Sequence, residues 1–188
     1  LGYNEKYEQA SWVAYVLTRE EVESGTINRT DNFRADTSIS TGSADLADYR
    51  GSGYDRGHLA PAGDMKWNGE AMSESFLMSN MSPQTPSFNR GIWRSLESSV
   101  RAWAIEKDSI YVISGPLLGS IDTLIGLNEV GVPDSYFKVL VDLSPPGHSM
   151  IAFILPNARS SEELMQFAIS VDSLEIITGY NFFASAPE

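Results

Sequence analysis

Two histidines and no cysteines restrict the acid–base and metal chemistry open to this chain. One histidine, His58, lies in YDRGHLAPAGDM, residues 54–65, behind Asp55, Arg56 and Gly57. If 54–59 is extended, Arg56 and His58 share one face, and Asp55 and Gly57 share the other. A guanidinium on the same face disfavours a charged imidazole and lowers its pKa. His58 is then neutral near pH 7, as a general base must be. Asp55, on the opposite face, does not suit the orienting role of a Ser-His-Asp triad. Taken alone, the stretch also fits a polar turn with ordinary surface charges.

A second constellation follows at helical spacing. Asn89, Trp93, Glu97 and Arg101 recur at four-residue steps along a helix that starts near Ser87. An amide, a carboxylate and a guanidinium along one helix edge suit a cleft wall. The plainer alternative makes Glu97 and Arg101 a surface ion pair worth about 0.3–0.5 kcal/mol and Asn89 a helix-start residue. Other candidates carry less. His148, in SPPGHSM, reads as an exposed turn residue. Two histidines without cysteine do not suit a zinc cage. Asp55 and Asp64 lack the support needed for a glycosidase pair, and Asp64 reads as a loop-closing residue. GSGYDRG (51–57) lacks the lysine and the spacing of a P-loop.

These residues need a scaffold, and the composition allows one. The chain has 188 residues, 42% hydrophobic and 20% charged, enough for one domain with a real core. SWVAYVLT (11–18), SIYVISG (109–115), YFKVLVDL (136–143) and MIAFILP (150–156) read as strands. Residues 24–53 read as loops with short strands, and 73–80 as a short helix. From Ser87 to Glu106, Ile92, Leu96, Val100 and Trp103 form one buried helical stripe. Ser160 and Glu163 stand at capping-box spacing, which predicts a helix over 160–170. A second helix over 171–180 is closed by Gly179. Strands and helices mix without regular alternation, so the expected class is α+β, with a central, largely antiparallel sheet flanked by helices. No run approaches a membrane span. Leu1 follows no basic or apolar leader, and cysteine is absent. The expectation is an exported protein, periplasmic or secreted, whose leader is not part of this chain.

The net charge of −12 argues against a non-specific nucleic-acid binder. Seven of the nine arginines, however, lie between Arg29 and Arg101. A positive cleft on an acidic body would bind a polyanion modestly and with strong salt dependence.

YDRGHLAPAGDM and the later FLMSNMSPQTPSFNRGIWRSLESSVR together resemble the DNA/RNA non-specific endonucleases. These are the His-Me finger, or ββα-metal, nucleases that include endonuclease G. Ser-Asn, Pro-Gln, an Asn, a Trp and Leu-Glu before an Arg occur in the family's order, and YEQASWVAYVLT and YVISGP extend the likeness over most of the chain. The resemblance implies a single nuclease domain over 1–188. It implies His58 as the general base, with Asn89 as the main protein ligand of Mg²⁺, or of Mn²⁺ or another divalent ion. Glu97 holds the hydrated ion through water, Arg56 and Arg101 contact phosphate oxygens, and Asn80 supports the site by hydrogen bonding. Asp55 and Gly57 shape the strand that presents His58. An upstream arginine is expected, and Arg29 and Arg34 both remain open for it. Arg90 departs from the family's usual glutamine and is open to two roles, a phosphate contact or a solvent-facing charge. DNA and RNA are the implied substrates, 5′-phosphates the implied products, and a homodimer is allowed. A catalytically inactive binding module on the same scaffold and a phosphodiesterase for small substrates are the competing readings.

Overall fold

The runs rich in β-branched and aromatic residues assemble into one sheet. The computed structural model describes residues 1–142, 144 and 149–182; His148 lies outside the described residues. The chain opens with β1 (Gly2–Asn4), β2 (Gln9–Thr18) and α1 (Arg19–Ser24), then a long loop interrupted by α2 (Leu46–Tyr49). β3 (Asp55–His58), α3 (Gly69–Glu74) and β4 (Met81–Gln84) follow. Next come α4 (Pro86–Phe88), a π turn (Asn89–Trp93) and α5 (Arg94–Lys107). β5 (Ser109–Pro116), the short pair β6 (Leu124–Ile125) and β7 (Val130–Gly131), β8 (Ser135–Asp142), β9 (Ser149–Pro156), β10 (Ala168–Ile169) and α6 (Val171–Thr178) complete it.

The main sheet has the order β1-β2-β5-β8-β9-β10, and every neighbouring pair is antiparallel. Helices cover both faces, as the α+β expectation required. On one face Leu96, Val100 and Ala104 of α5 pack with Val13, Leu17, Val112, Tyr136 and Leu140. On the other, Val171 and Leu174 of α6 pack with Phe137, Val139, Val141 and Ala152. β8 is covered on both sides, so its sequence is apolar almost throughout instead of alternating. Between its polar ends, Ser135 and Asp142, the exception is Lys138, which alternation places on the α5 face.

Three expectations about elements need correction. The helix over 160–170 does not form. Ser160 Oγ accepts from the Glu162 N–H at 3.0 Å, which makes a local turn. A 3₁₀ turn over Leu164–Phe167 and the edge strand β10 on β9 follow instead. The open edge of β9 offers backbone hydrogen bonds, and Leu164, Phe167 and Ala168 pack on the core there. That tertiary gain outweighs a local capping signal. The helix expected at 73–80 lies earlier, at Gly69–Glu74, because the Asn68 side chain accepts from the Glu70 and Ala71 N–H groups and sets its start. Only a 3₁₀ turn, Met78–Asn80, remains before β4. The helix read from Ser87 begins at Pro86, with Thr85 as its cap. It is broken at Gly91, whose φ of −102° and ψ of −114° are not helical. The final helix forms as expected, closed by Gly179 at φ 72°.

Candidate active site

β3 and β4 pair antiparallel, with Asp55 opposite Gln84 and His58 opposite Met81. Close contact here depends on Gly57, where a Cβ would fall 2.1 Å from Gln84 Cδ. The chain leaves β4 and enters the helix at Thr85, tied down by Asn157. The Asn157 Oδ1 accepts from the Thr85 N–H at 2.8 Å, and its Nδ2 donates to the Pro83 and Pro133 carbonyls. The π turn that follows sets Asn89 against β3. The two strands and the helix form a ββα unit, with Trp93 Nε1 donating to the His58 carbonyl at 3.3 Å.

One cavity of about 420 Å³ is lined by His58, Arg56, Asn89, Glu97 and Arg101, together with Arg29, Arg90, Arg94 and residues 61–63. The structure thus brings the residues expected for base, metal and phosphate contact onto one wall. Of the two upstream arginines, Arg29 reaches this cavity. Arg34 points elsewhere, donating to the Ser73 and Asn32 carbonyls. Arg29 arrives because its loop is pinned by the Ile27 N–H to the Lys66 carbonyl and by an Arg34–Leu77 bridge.

His58 is 8% exposed. Its ring stands edge-to-face against Phe76 at 5.0 Å and Phe33 at 5.9 Å. Burial, then the Arg29 charge, lowers its pKa to about 3; Asp31 opposes, and Arg56 adds the smallest lowering effect. The imidazole is therefore neutral at pH 7, but aromatic burial does more of this than the Arg56 neighbour that the sequence suggested. Nε2 is buried without a hydrogen-bond partner, so Nδ1 is the nitrogen left for the cavity. The strand beyond His58 is held by Asn80. Its Oδ1 accepts from the Ala60 N–H, and its Nδ2 donates to the Ala60 and Ser75 carbonyls.

Asn89 Nδ2 donates to Asp55 Oδ2 at 2.9 Å. Arg90 grips the same carboxylate at two points, 2.8 and 2.6 Å. Arg90 is exposed and lines the cavity while it anchors Asp55. Burial tends to raise the Asp55 pKa, but the Arg90 and Asn89 bonds outweigh it and hold the carboxyl below its usual range. A permanent acceptor on the amide nitrogen settles which end of Asn89 is which. Its oxygen remains available as a ligand.

Glu97 and Arg101 are not the surface pair that their spacing suggested. Arg101 Nη1 pairs with Asp64 Oδ1 at 2.7 Å, and its Nη2 donates to Ser98 Oγ. Asp64 is 2% exposed, and its other oxygen accepts from the Tyr15 hydroxyl at 2.6 Å. It is a buried anchor, not a loop closure. Glu97 is half-buried; burial pushes its carboxyl pKa up, with Lys138 opposing. Lys138 is 1% exposed, donates to Ser114 Oγ and lies 4.5 Å from the Trp93 ring centre. Asp64, Tyr15, Lys138, Asn157 and Arg94 were not foreseen as site residues. The lone lysine inside a strand that is otherwise apolar between its end residues was the one signal that could have flagged Lys138.

Among the described residues, no group of three or more His, Asp, Glu or Cys side chains could cage a metal ion. What the cavity offers is the oriented Asn89 oxygen and the Glu97 carboxylate. That sparse oxygen set fits a hard divalent cation that keeps most of its water, as Mg²⁺ does. Five arginines and one glutamate line the cavity, so it is positive within a chain of net charge −12.

The sequence profile of the DNA/RNA non-specific endonuclease family matches residues 1–188. A nuclease of Nostoc sp. is 36% identical, aligned over 98% of this chain and 70% of its own. The mitochondrial endonuclease G of Homo sapiens is 35% identical, over 97% of this chain and 66% of its own. The chain therefore spans about two thirds of the length of these relatives. A crystal structure of the EndoG/EndoGI complex superposes with a TM-score of 0.91 at 33% identity, covering 100% of this chain and 83% of that one.

Proposed function

The chain belongs to the DNA/RNA non-specific endonuclease family, and from that premise we propose that it hydrolyses phosphodiester bonds within DNA and RNA strands. The observation that carries this reading is the shared cavity. A neutral His58 and an Asn89 whose amide is oriented by Asp55 lie on the wall of one arginine-rich cleft.

In this reading His58 Nδ1 takes a proton from the water that attacks phosphorus. The new P–O bond forms as the P–O3′ bond breaks, leaving a 5′-phosphate on one product and, on the other, a 3′-oxyanion that takes a proton from solvent water to become a hydroxyl. Arg56 and Arg101 hold the non-bridging oxygens, and Asp64 and Tyr15 hold Arg101 in place. Asn89 and Glu97 would hold Mg²⁺ or a related ion, which supplies Lewis-acid stabilisation of the developing charge and of the leaving oxygen. DNA and RNA are both accepted if contacts go to the backbone and none is dedicated to base edges or the 2′-hydroxyl.

The net charge of −12 favours a second reading, an inactive binding module. Plasmid nicking with Mg²⁺, with EDTA, and across a salt series separates the two. The nuclease reading expects Mg²⁺-dependent nicking, abolished by EDTA and weakened as salt rises. Binding of DNA without nicking in any divalent metal would establish the module instead.

A further inference from the structure

The arginines around the cavity divide by what they already bind. Arg29 is paired with Asp31 at 2.6 Å, Arg90 with Asp55 at 2.6 Å and Arg101 with Asp64 at 2.7 Å. Among the described residues, Arg56 and Arg94 have no carboxylate within 4.0 Å. Arg56 lies beside His58 on β3, with its guanidinium 4.3 Å from the Phe33 ring centre. Its place is next to the phosphate under attack. Arg94 is different. It is exposed, it opens α5, and it stands one turn beyond Arg90 on the cavity rim.

A phosphodiester carries one negative charge on two non-bridging oxygens, and Arg56 and Arg101 suffice for it. Arg90 spends both Nε and Nη2 on Asp55, whereas Arg101 gives Asp64 only Nη1. Arg94 remains as an uncompensated charge on the rim of a strongly acidic molecule. Among the described residues, no hydrogen bond or ion pair engages the exposed Arg94 side chain. A polynucleotide running through the cleft brings a phosphate on each side of the scissile one, and a rim guanidinium is placed to meet such a neighbour.

We propose that Arg94 binds a phosphate flanking the scissile one, so that the cleft grips two phosphates of one strand and favours polynucleotides over small phosphodiesters. This rests on the nuclease reading above. The test compares wild type, Arg94→Gln and Arg94→Lys on plasmid DNA and on bis(p-nitrophenyl) phosphate in Mg²⁺, across a salt series. For Arg94→Gln, kcat/KM on DNA falls several-fold at low salt. The slope of log(kcat/KM) against log[salt] flattens by about 0.9, the counterion equivalent of one phosphate contact. The loss on the small diester is several-fold smaller, and Arg94→Lys restores most of the slope. An unchanged slope in Arg94→Gln overturns the assignment, as do equal losses on both substrates. If the wild type cleaves only the small diester, the polynucleotide reading falls and this inference falls with it. Unequal slopes need an active wild type, so the two failures are distinguishable.

Discussion

At pH 7 an exposed imidazole is already mostly neutral; burial against Phe33 and Phe76 and two nearby guanidinium groups keep His58 neutral far into acid. Two outcomes are expected. His58→Ala lowers kcat/KM for nicking by about 10²–10⁴-fold, the usual worth of a general base, while the melting temperature stays near wild type. Wild-type activity in that variant would remove His58 from the reaction. The second outcome concerns stability. The native pKa of about 3 lies below the ordinary 6.5, so between those values the unfolded chain binds a proton that the native chain refuses. This contribution is therefore neutral to stability above pH 6.5, and the native state loses ground as pH falls through the window. From pH 7 to pH 5, wild type should lose about 2 kcal/mol more than His58→Ala in urea unfolding. The raised Glu97 pKa acts in the opposite direction but is common to both proteins and cancels. Equal losses would mean the imidazole is not held neutral by its burial.

At the scale of elements, the site exists because β3, β4 and the broken helix meet at close range. Gly57 is the tightest joint. An added Cβ meets the Gln84 side chain, which is fully buried. Gly57→Ala should cost about 1–3 kcal/mol, as overpacking does. It should also reduce nicking by displacing the strand that carries Arg56 and His58. Gly69→Ala is the control: nothing lies within 4 Å of its Cβ, so stability should change by less than about 0.5 kcal/mol. Both are read by urea denaturation, and a neutral Gly57→Ala would show that β3 and β4 can separate without cost. The break at Gly91 belongs to the same logic. The helical period was visible from Ser87 onward, but the π turn that sets Asn89 beside Asp55 left no mark on that period.

Across the whole molecule, charge is unevenly spread. Carboxylates dominate the chain, while the cleft gathers arginines. Beneath the cleft, Lys138 is buried between β8 and α5, with Glu97 and Asp64 as the nearby negative charges. Lys138→Met keeps the length and removes the charge. Two partly or fully buried carboxylates then lose a compensating cation, and stability should fall by about 3 kcal/mol in urea unfolding at pH 7. A neutral or stabilising result would show that Lys138 provides no net charge compensation to these carboxylates. Bulk composition hid this arrangement, because a net charge is a sum and the cleft depends on position.

By itself, the amino-acid order determined the central strands, the helical stripe of Ile92, Leu96 and Val100, and the chemical types that meet around His58. Each of these is written in short-range spacing, where side-chain direction repeats every two or 3.6 residues. Only the tertiary structure decided that Arg101 pairs with Asp64 instead of Glu97, that Asp55 orients Asn89, and that residues 168–169 join the sheet edge. Those partners lie 37 and 34 residues apart, or on another strand. Local periodicity tells which face a side chain takes, while burial and backbone pairing choose what stands opposite it.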